Sequence, residues 1–491
     1  MIITAMDWWT PDGGTLLEWH PQPRAAQLAA QAPDAAGPLS FLQENHLRST
    51  HAARQSGSEH KAYLGSATDI DGDLDQAALT KALETFVARH DGLRTWFRFD
   101  GNDVTRLRVE DEAIDFEVRV AGDFTEPQEF RGYIHGRFGS EATAMSWPGF
   151  AFGAISRSGG FTIYYGCDHA LSDGASQALA LAEIAELYHA EVGGRPVEAF
   201  ASSPTGSFLD YARMENELAQ SFSAESPEVV EWLDIFRSNG GVMPGFPLDM
   251  GLLPGETAPV RPIELNLLDA DGIAAFDRVC KASGASFLSG IYAAVAITEY
   301  ELAARADYFG ISVLATRLVA DFGLSQGWFC NFAPVAFGVS GAGSFTELLP
   351  AALAGYNRAK RLAVVPAQSV IGALLSSGAA LEDVTASPNL LSYIDFRRFP
   401  GDGHTAYDRG VLFTGEGRTA NASMWFNRDH DRLYLGSQTP DTTLAQLQVK
   451  RYHEHLWSVF DRVITDGDYA VAGPGLTGCP TEETALARHH H

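Results

Sequence analysis

The sequence predicts an α/β protein built from two halves of similar size. Two observations carry this. Segments of strand character and helix character alternate along all 491 residues with no fixed-period repeat, and a stretch rich in Gly and Pro interrupts them near the middle. The composition, 45% hydrophobic and 20% charged, is that of ordinary globular domains with real cores. At roughly 100–200 residues per domain, a chain of this length holds two or three.

In the first half, residues 74–89 carry Leu79, Leu83, Phe86 and Val87 at three- and four-residue spacing, the apolar stripe of a helix. The aromatic and β-branched run at 161–167 predicts a buried strand, and the Ala/Leu-rich segment 175–188 a helix. Further helices are expected near 208–220 and 227–237. The breaker-rich stretch 239–259, which includes Gly240, Gly241, Pro244, Gly245 and Pro247, reads as a linker or surface loop. The second half starts with a strand at 262–268. Helices follow at 271–283 and 286–305, then strands near 308–315 and 331–339 and a helix at 345–362. Strands at 390–396, 422–427 and 433–437 and a helix at 443–466 complete it. Domains are therefore expected at 1–225 and 226–480. The tail 481–491 ends in His489–His491, which reads as a purification-tag remnant.

Charge and cysteine content exclude several classes. With 35 Lys and Arg against 62 Asp and Glu, the net charge is −27, so nucleic acid is not an expected partner. Cys167, Cys280, Cys330 and Cys479 are scattered, with no CxxC pair, which argues against a zinc site and for a reducing cytosol. Residues 1–14 lack the basic n-region of a signal peptide, and no apolar run reaches the ~18 residues that span a bilayer. The chain is expected to be cytoplasmic and monomeric.

The chemistry concentrates in one segment. The strand 161–167 runs into Asp168-His169, then Leu171-Ser172-Asp173-Gly174, and a helix follows. A His at the end of a buried strand is held rigidly, and with an ordinary pKa near 6.5 it suits general-base work. Gly174 permits close backbone approach where the helix N-terminus favours developing negative charge. HxxxDG by itself arises by chance in roughly a few per cent of chains this long. Two further segments add weight: Arg89-His90-Asp91-Gly92-Leu93-Arg94-Thr95-Trp96-Phe97 upstream, and Thr316-Arg317 with Gly327-Trp328-Phe329-Cys330-Asn331 downstream.

In this order and spacing the three segments resemble the condensation-domain and chloramphenicol-acetyltransferase-like superfamily. There an RHExLRTxF-like segment precedes HHxxxDG, and a GxFxN-like segment follows in the second half. The similarity extends over about residues 5–470 and is nearest the polyketide-associated acyltransferases of the trehalose-lipid type. Asp7-Trp8-Trp9-Thr10-Pro11, the run from Ser392 to Gly401, and Ser423-Met424-Trp425-Phe426-Asn427-Arg428 match that subgroup. The chain departs from the pattern at Asp168, where the family has its first His, and at Asp91, where it has Glu. A DFGWG motif near the C-terminus is missing, and Asp321-Phe322-Gly323 reads as a turn.

The resemblance implies two chloramphenicol-acetyltransferase-like lobes in a V, with a channel between them and the catalytic His midway. It implies an acyltransferase without a resident cofactor. The donor would be a thioester on coenzyme A or on a carrier protein's phosphopantetheine arm, the acceptor a small-molecule alcohol or amine. His169 would deprotonate the acceptor for direct attack, with no acyl-enzyme, and the sequence has no GxSxG elbow. Asp173 would be structural and paired with Arg317, Asp168 structural, and the Gly174 amide one option for oxyanion stabilisation. Trp328, Asn331 and Trp425 are candidate channel lining, whereas Phe329 and Cys167 read as packing residues. Two alternatives stand beside ester formation: a free-standing peptide-type condensation enzyme, and a catalytically silent carrier-binding module. The run from Gly415 to Ala420 mimics a dinucleotide fingerprint but leads into a strand, not the required helix. Arg358, Lys360 and Arg361 form a small basic cluster, read as a phosphate-receiving patch or a solvated helix face.

Overall fold

The computed structural model of the chain describes residues 1–57, 63–197, 199–317, 320–414 and 417–475. Cys479, the tag-like His489–His491 and the Gly415-Glu416 start of the dinucleotide-like run lie outside these residues. The chain forms two compact units. The first comprises Met1–Glu217, Ala315–Cys330 and Phe396–Gly417; the second comprises Leu218–Leu314, Asn331–Asp395 and the described chain from Arg418 onward. Each is a mixed α/β unit around a seven-stranded sheet.

The sheet of the first unit runs Ile2–Thr4, Val411–Thr414, Tyr63–Asp71, Gly160–Asp168, Phe150–Arg157, Gly14–Pro21, Phe116–Phe124. Its central strand, Gly160–Asp168, is antiparallel to both neighbours, with Tyr63 opposite Asp168 and Phe150 opposite Cys167. All nine of its residues are buried, which is why the aromatic and β-branched run there shows no polar–apolar alternation. Helix Pro127–Glu141 packs Phe130, Ile134 and Phe138 into a core with Tyr63, Ala151 and Tyr164. The helix Gln76–Arg89 lies against the helix Gly174–Gly193. The strand Val411–Thr414, drawn from late in the sequence, pairs parallel with Ile2–Thr4 and antiparallel with Tyr63–Asp71.

Gly166 shows how tightly this sheet is packed. A Cβ added there would sit 2.4 Å from Phe138 Cδ1, on a ring that is itself fully buried. Gly166→Ala is therefore expected to destabilise the protein by about 1–3 kcal/mol through overpacking, visible as a lower denaturation midpoint. An unchanged midpoint would mean that the Phe138 ring has room to move.

The second unit's sheet runs Cys330–Gly338, Asp307–Ala315, Leu390–Asp395, Ser423–Arg428, Arg432–Pro440, Ala258–Asp269, Arg418–Thr419. Helix Phe287–Ala303 is buried almost all round, as its uninterrupted apolar stretch requires. The helices Phe345–Leu362 and Thr443–Asp466 have the limits read from the sequence, because side-chain caps mark their starts. Ser344 accepts from the Glu347 amide and Thr442 from the Ala445 amide. No helix or strand forms between Ser238 and Ala258, the breaker-rich stretch. Buried Glu301 accepts hydrogen bonds from Tyr469 Oη at 2.8 Å and the Ala472 amide at 2.6 Å, which ties the end of the described chain to this unit. No single described helix is long and apolar enough to cross a membrane.

Candidate active site

The strand Gly160–Asp168 ends in a 3-10 turn, His169–Leu171, and helix Gly174–Gly193 begins after two intervening residues. Carboxylates hold both corners. Asp168 accepts the Ala170 amide and the Ala144 amide, each at 2.8 Å. Asp173 is the N-cap of the helix and accepts the Ser176 amide at 2.7 Å. Gly174 is the first helical residue, where N–H groups have no intrahelical partner.

His169 Nδ1 lies 2.9 Å from the Ser172 carbonyl oxygen. A carbonyl only accepts, so Nδ1 carries the hydrogen and the lone pair is on Nε2. The ring is thus in the tautomer a general base needs. Burial lowers the His169 pKa to about 4, and the charge on nearby His46 pushes in the same direction; Asp173 and the local backbone oppose them. The residue is still partly accessible, so burial leaves it reachable while favouring the neutral, proton-accepting form.

Both oxygens of the Asp173 carboxylate are engaged by protein groups. Its Oδ1 takes a hydrogen bond from Arg317 Nη2 at 2.8 Å, and its Oδ2 takes the Phe329 amide at 2.9 Å. Arg317 also donates through Nη1 to the Ser325 carbonyl at 2.5 Å and through Nη2 to Ser176 Oγ, and its guanidinium lies 4.4 Å from the centre of the Phe329 ring. One ion pair, nearly excluded from water, thereby ties the His169 turn to the segment Ala315–Cys330. Gly327 permits the fit, since a Cβ there would come within 2.2 Å of Phe208.

That tether delivers Trp328. Its ring stacks on His169 with centroids 3.8 Å apart at 27°. Phe329, by contrast, is fully buried with Phe208, Tyr211 and Phe322. The upstream segment proves architectural: Arg89 Nε and His90 Nε2 lie 2.6 and 2.9 Å from the two oxygens of buried Glu183, and Asp91 accepts the Phe208 amide at 2.9 Å. Cys167 is buried, and burial pushes its thiol well up, away from the reactive thiolate.

Asn331 and Trp425 belong to the second unit. The Asn331 amide donates to the carbonyls of Ala363 and Val365, both at 2.8 Å, and accepts the Ala367 amide at 3.2 Å. Trp425 is half-buried on the strand Ser423–Arg428, opposite Gly436. In the basic cluster, Arg358 and Arg361 share Glu231, at 3.4 and 3.0 Å, and Lys360 lies over the Tyr356 ring.

Sequence reading passed over His46. It lies on helix Phe41–Gln55, and its Nε2 is 3.0 Å from Asp168 Oδ1. The only local signal was a His on an unremarked helix.

A family model described as Condensation domain matches residues 36–383. The chain is 32% identical, over 99% of its length and 93% of the relative's, to the 2'-acyl-2-O-sulfo-trehalose (hydroxy)phthioceranyltransferase PapA1 of Mycobacterium tuberculosis. It is 28% identical to the acyltransferase PapA3 of Mycobacterium tuberculosis over 95% of the chain and 98% of that protein. It is also 28% identical to the trehalose-2-sulfate acyltransferase PapA2 of Mycobacterium bovis, over 96% and 99%. Among solved structures, a PapA2 acyl transferase superposes with a TM-score of 0.84 at 24% identity, covering 95% of this chain and all of that one. The first condensation domain of the calcium-dependent antibiotic synthetase gives 0.67 at 18% identity, covering 90% and 99%.

Proposed function

The chain belongs to the condensation-domain family and is an acyltransferase, and from that premise we propose that it moves an acyl group from a thioester to an acceptor hydroxyl, with His169 as general base. The observation that carries this reading is the Nδ1–H to Ser172 hydrogen bond, which leaves Nε2 as a neutral acceptor. The acceptor O–H gives its proton to Nε2 while its oxygen attacks the thioester carbonyl carbon. The new C–O bond forms, the C–S bond breaks, and the departing sulfur takes the proton back from His169. No side-chain nucleophile enters the sequence of steps. The donor is coenzyme A or a carrier protein's phosphopantetheine arm. The acceptor is a sugar or polyketide alcohol, by analogy with relatives named for acylating sulfated trehalose. The reaction is placed in the cytosol, where both kinds of thioester are made.

The test is a panel: palmitoyl-coenzyme A and palmitoyl-carrier protein, each with trehalose, trehalose-2-sulfate, a fatty alcohol and a fatty amine, read by mass spectrometry. Ester formation with release of free thiol is expected. Products carrying the acyl group as an amide on an amine acceptor, with no ester from any alcohol, would overturn the hydroxyl assignment.

A further inference from the structure

We propose that His46, paired with Asp168, is a positioning residue for His169: the second imidazole of the site, supplied from helix Phe41–Gln55. The inference rests on the reading of His169 as base.

The family resemblance places two adjacent histidines at the motif, and this chain has Asp168 in the first position. Asp168 accepts two backbone amides at 2.8 Å and His46 Nε2 at 3.0 Å. A carboxylate so satisfied stays charged despite complete burial, with the charge and hydrogen bond of His46 holding its pKa below the usual range. The His46 and Asp168 side chains are only 9% and 6% exposed.

The helix that carries His46 is pinned to the catalytic turn by a second bond, from Gln43 Nε2 to the Ala170 carbonyl at 2.9 Å. The ring of His46 stands edge-on to Trp328 at 5.7 Å and 77°, and 6.0 Å from the His169 ring. Trp328 in turn stacks on His169. The three rings close a triangle, and Asp168 at the root of the turn anchors one corner. Removing His46 takes away both the ring packed against Trp328 and an electrostatic influence that disfavours protonated His169. Among the described residues, Asp173 on its own turn acts on His169 in the opposite direction; from segment Ala315–Cys330, Arg317 is spent on Asp173 and Cys330 Sγ lies 3.9 Å from Asp173.

The test uses the full chain with His46→Gln, which keeps a donor for Asp168, and His46→Leu, which keeps only bulk. Ring-labelled histidine is titrated by NMR, with the His169 signal assigned from His169→Ala. The His169 midpoint is expected to move to higher pH in both variants, because the lowering influence of His46 is gone. The melting temperature should fall less in His46→Gln than in His46→Leu, because Gln keeps a hydrogen-bond donor for Asp168. With the donor and acceptor that give ester above, kcat should fall about tenfold at unchanged KM, the size of effect seen for groups that orient a reacting side chain. An unmoved His169 midpoint in whichever variant folds would overturn the proposal. The titration does not depend on turnover, so it fails separately from the acyl-transfer reading, which falls if His169→Ala stays active.

Discussion

His169→Ala should fold with a wild-type melting temperature and lose about 10²–10⁴-fold in kcat, the usual contribution of a positioned general base. The ring's tautomer-fixing bond goes to the backbone of its own turn, so truncation removes the proton acceptor, that bond and the stacking on Trp328, and none of the ion pairs or caps that hold the turn. The pH profile gives a second reading of the same residue. A histidine lowered to about 4 is neutral throughout the neutral range. The wild-type rate should therefore hold as pH falls below 6.5 and decline only as His169 gains its proton near 4. A decline centred at 6.5 would mean that the ring is solvated in the working enzyme. Near-wild-type turnover by the purified Ala variant would remove His169 from the mechanism.

Asp173→Ala should fail in another way, losing stability and activity together. Breaking a nearly buried ion pair by deleting one partner costs about 3–5 kcal/mol, because the remaining charge is left uncompensated. Here the loss leaves Arg317 facing a site that is 5–8% exposed, and it also removes the helix cap and the acceptor for the Phe329 amide. Asp173→Asn should be nearly as harmful, since it discards the charge that Arg317 requires. Arg317→Met should produce the same phenotype from the other side. Denaturation midpoints of the purified variants check this. A variant of either residue that kept wild-type stability while losing only turnover would show that the pair acts on a reactant and not on the loop.

What the sequence determined by itself is what short-range physics encodes. Apolar periodicity and the buried run leading to His169 placed most of the elements read from the sequence within a residue or two, but strands such as Gly14–Pro21, Tyr63–Asp71 and Phe116–Phe124 and the helix Phe41–Gln55 were not read at all. The ordered motifs named the family and singled out the turn at His169 as the candidate site. Pairing between distant segments carries no such local signature. The four-residue strand Val411–Thr414 is too short to show a period, yet it completes the first sheet between Ile2–Thr4 and Tyr63–Asp71. The segment Ala315–Cys330 sits late in the chain but packs in the first unit, which is how Arg317 reaches Asp173 and Trp328 reaches His169. His46 is the clearest case. Nothing within several residues of it marks a site, and it gains its role only because helix Phe41–Gln55 lies against the turn at Asp168. Tertiary packing decides such residues because their energy comes from a partner more than a hundred positions away, where neither propensity nor periodicity reaches.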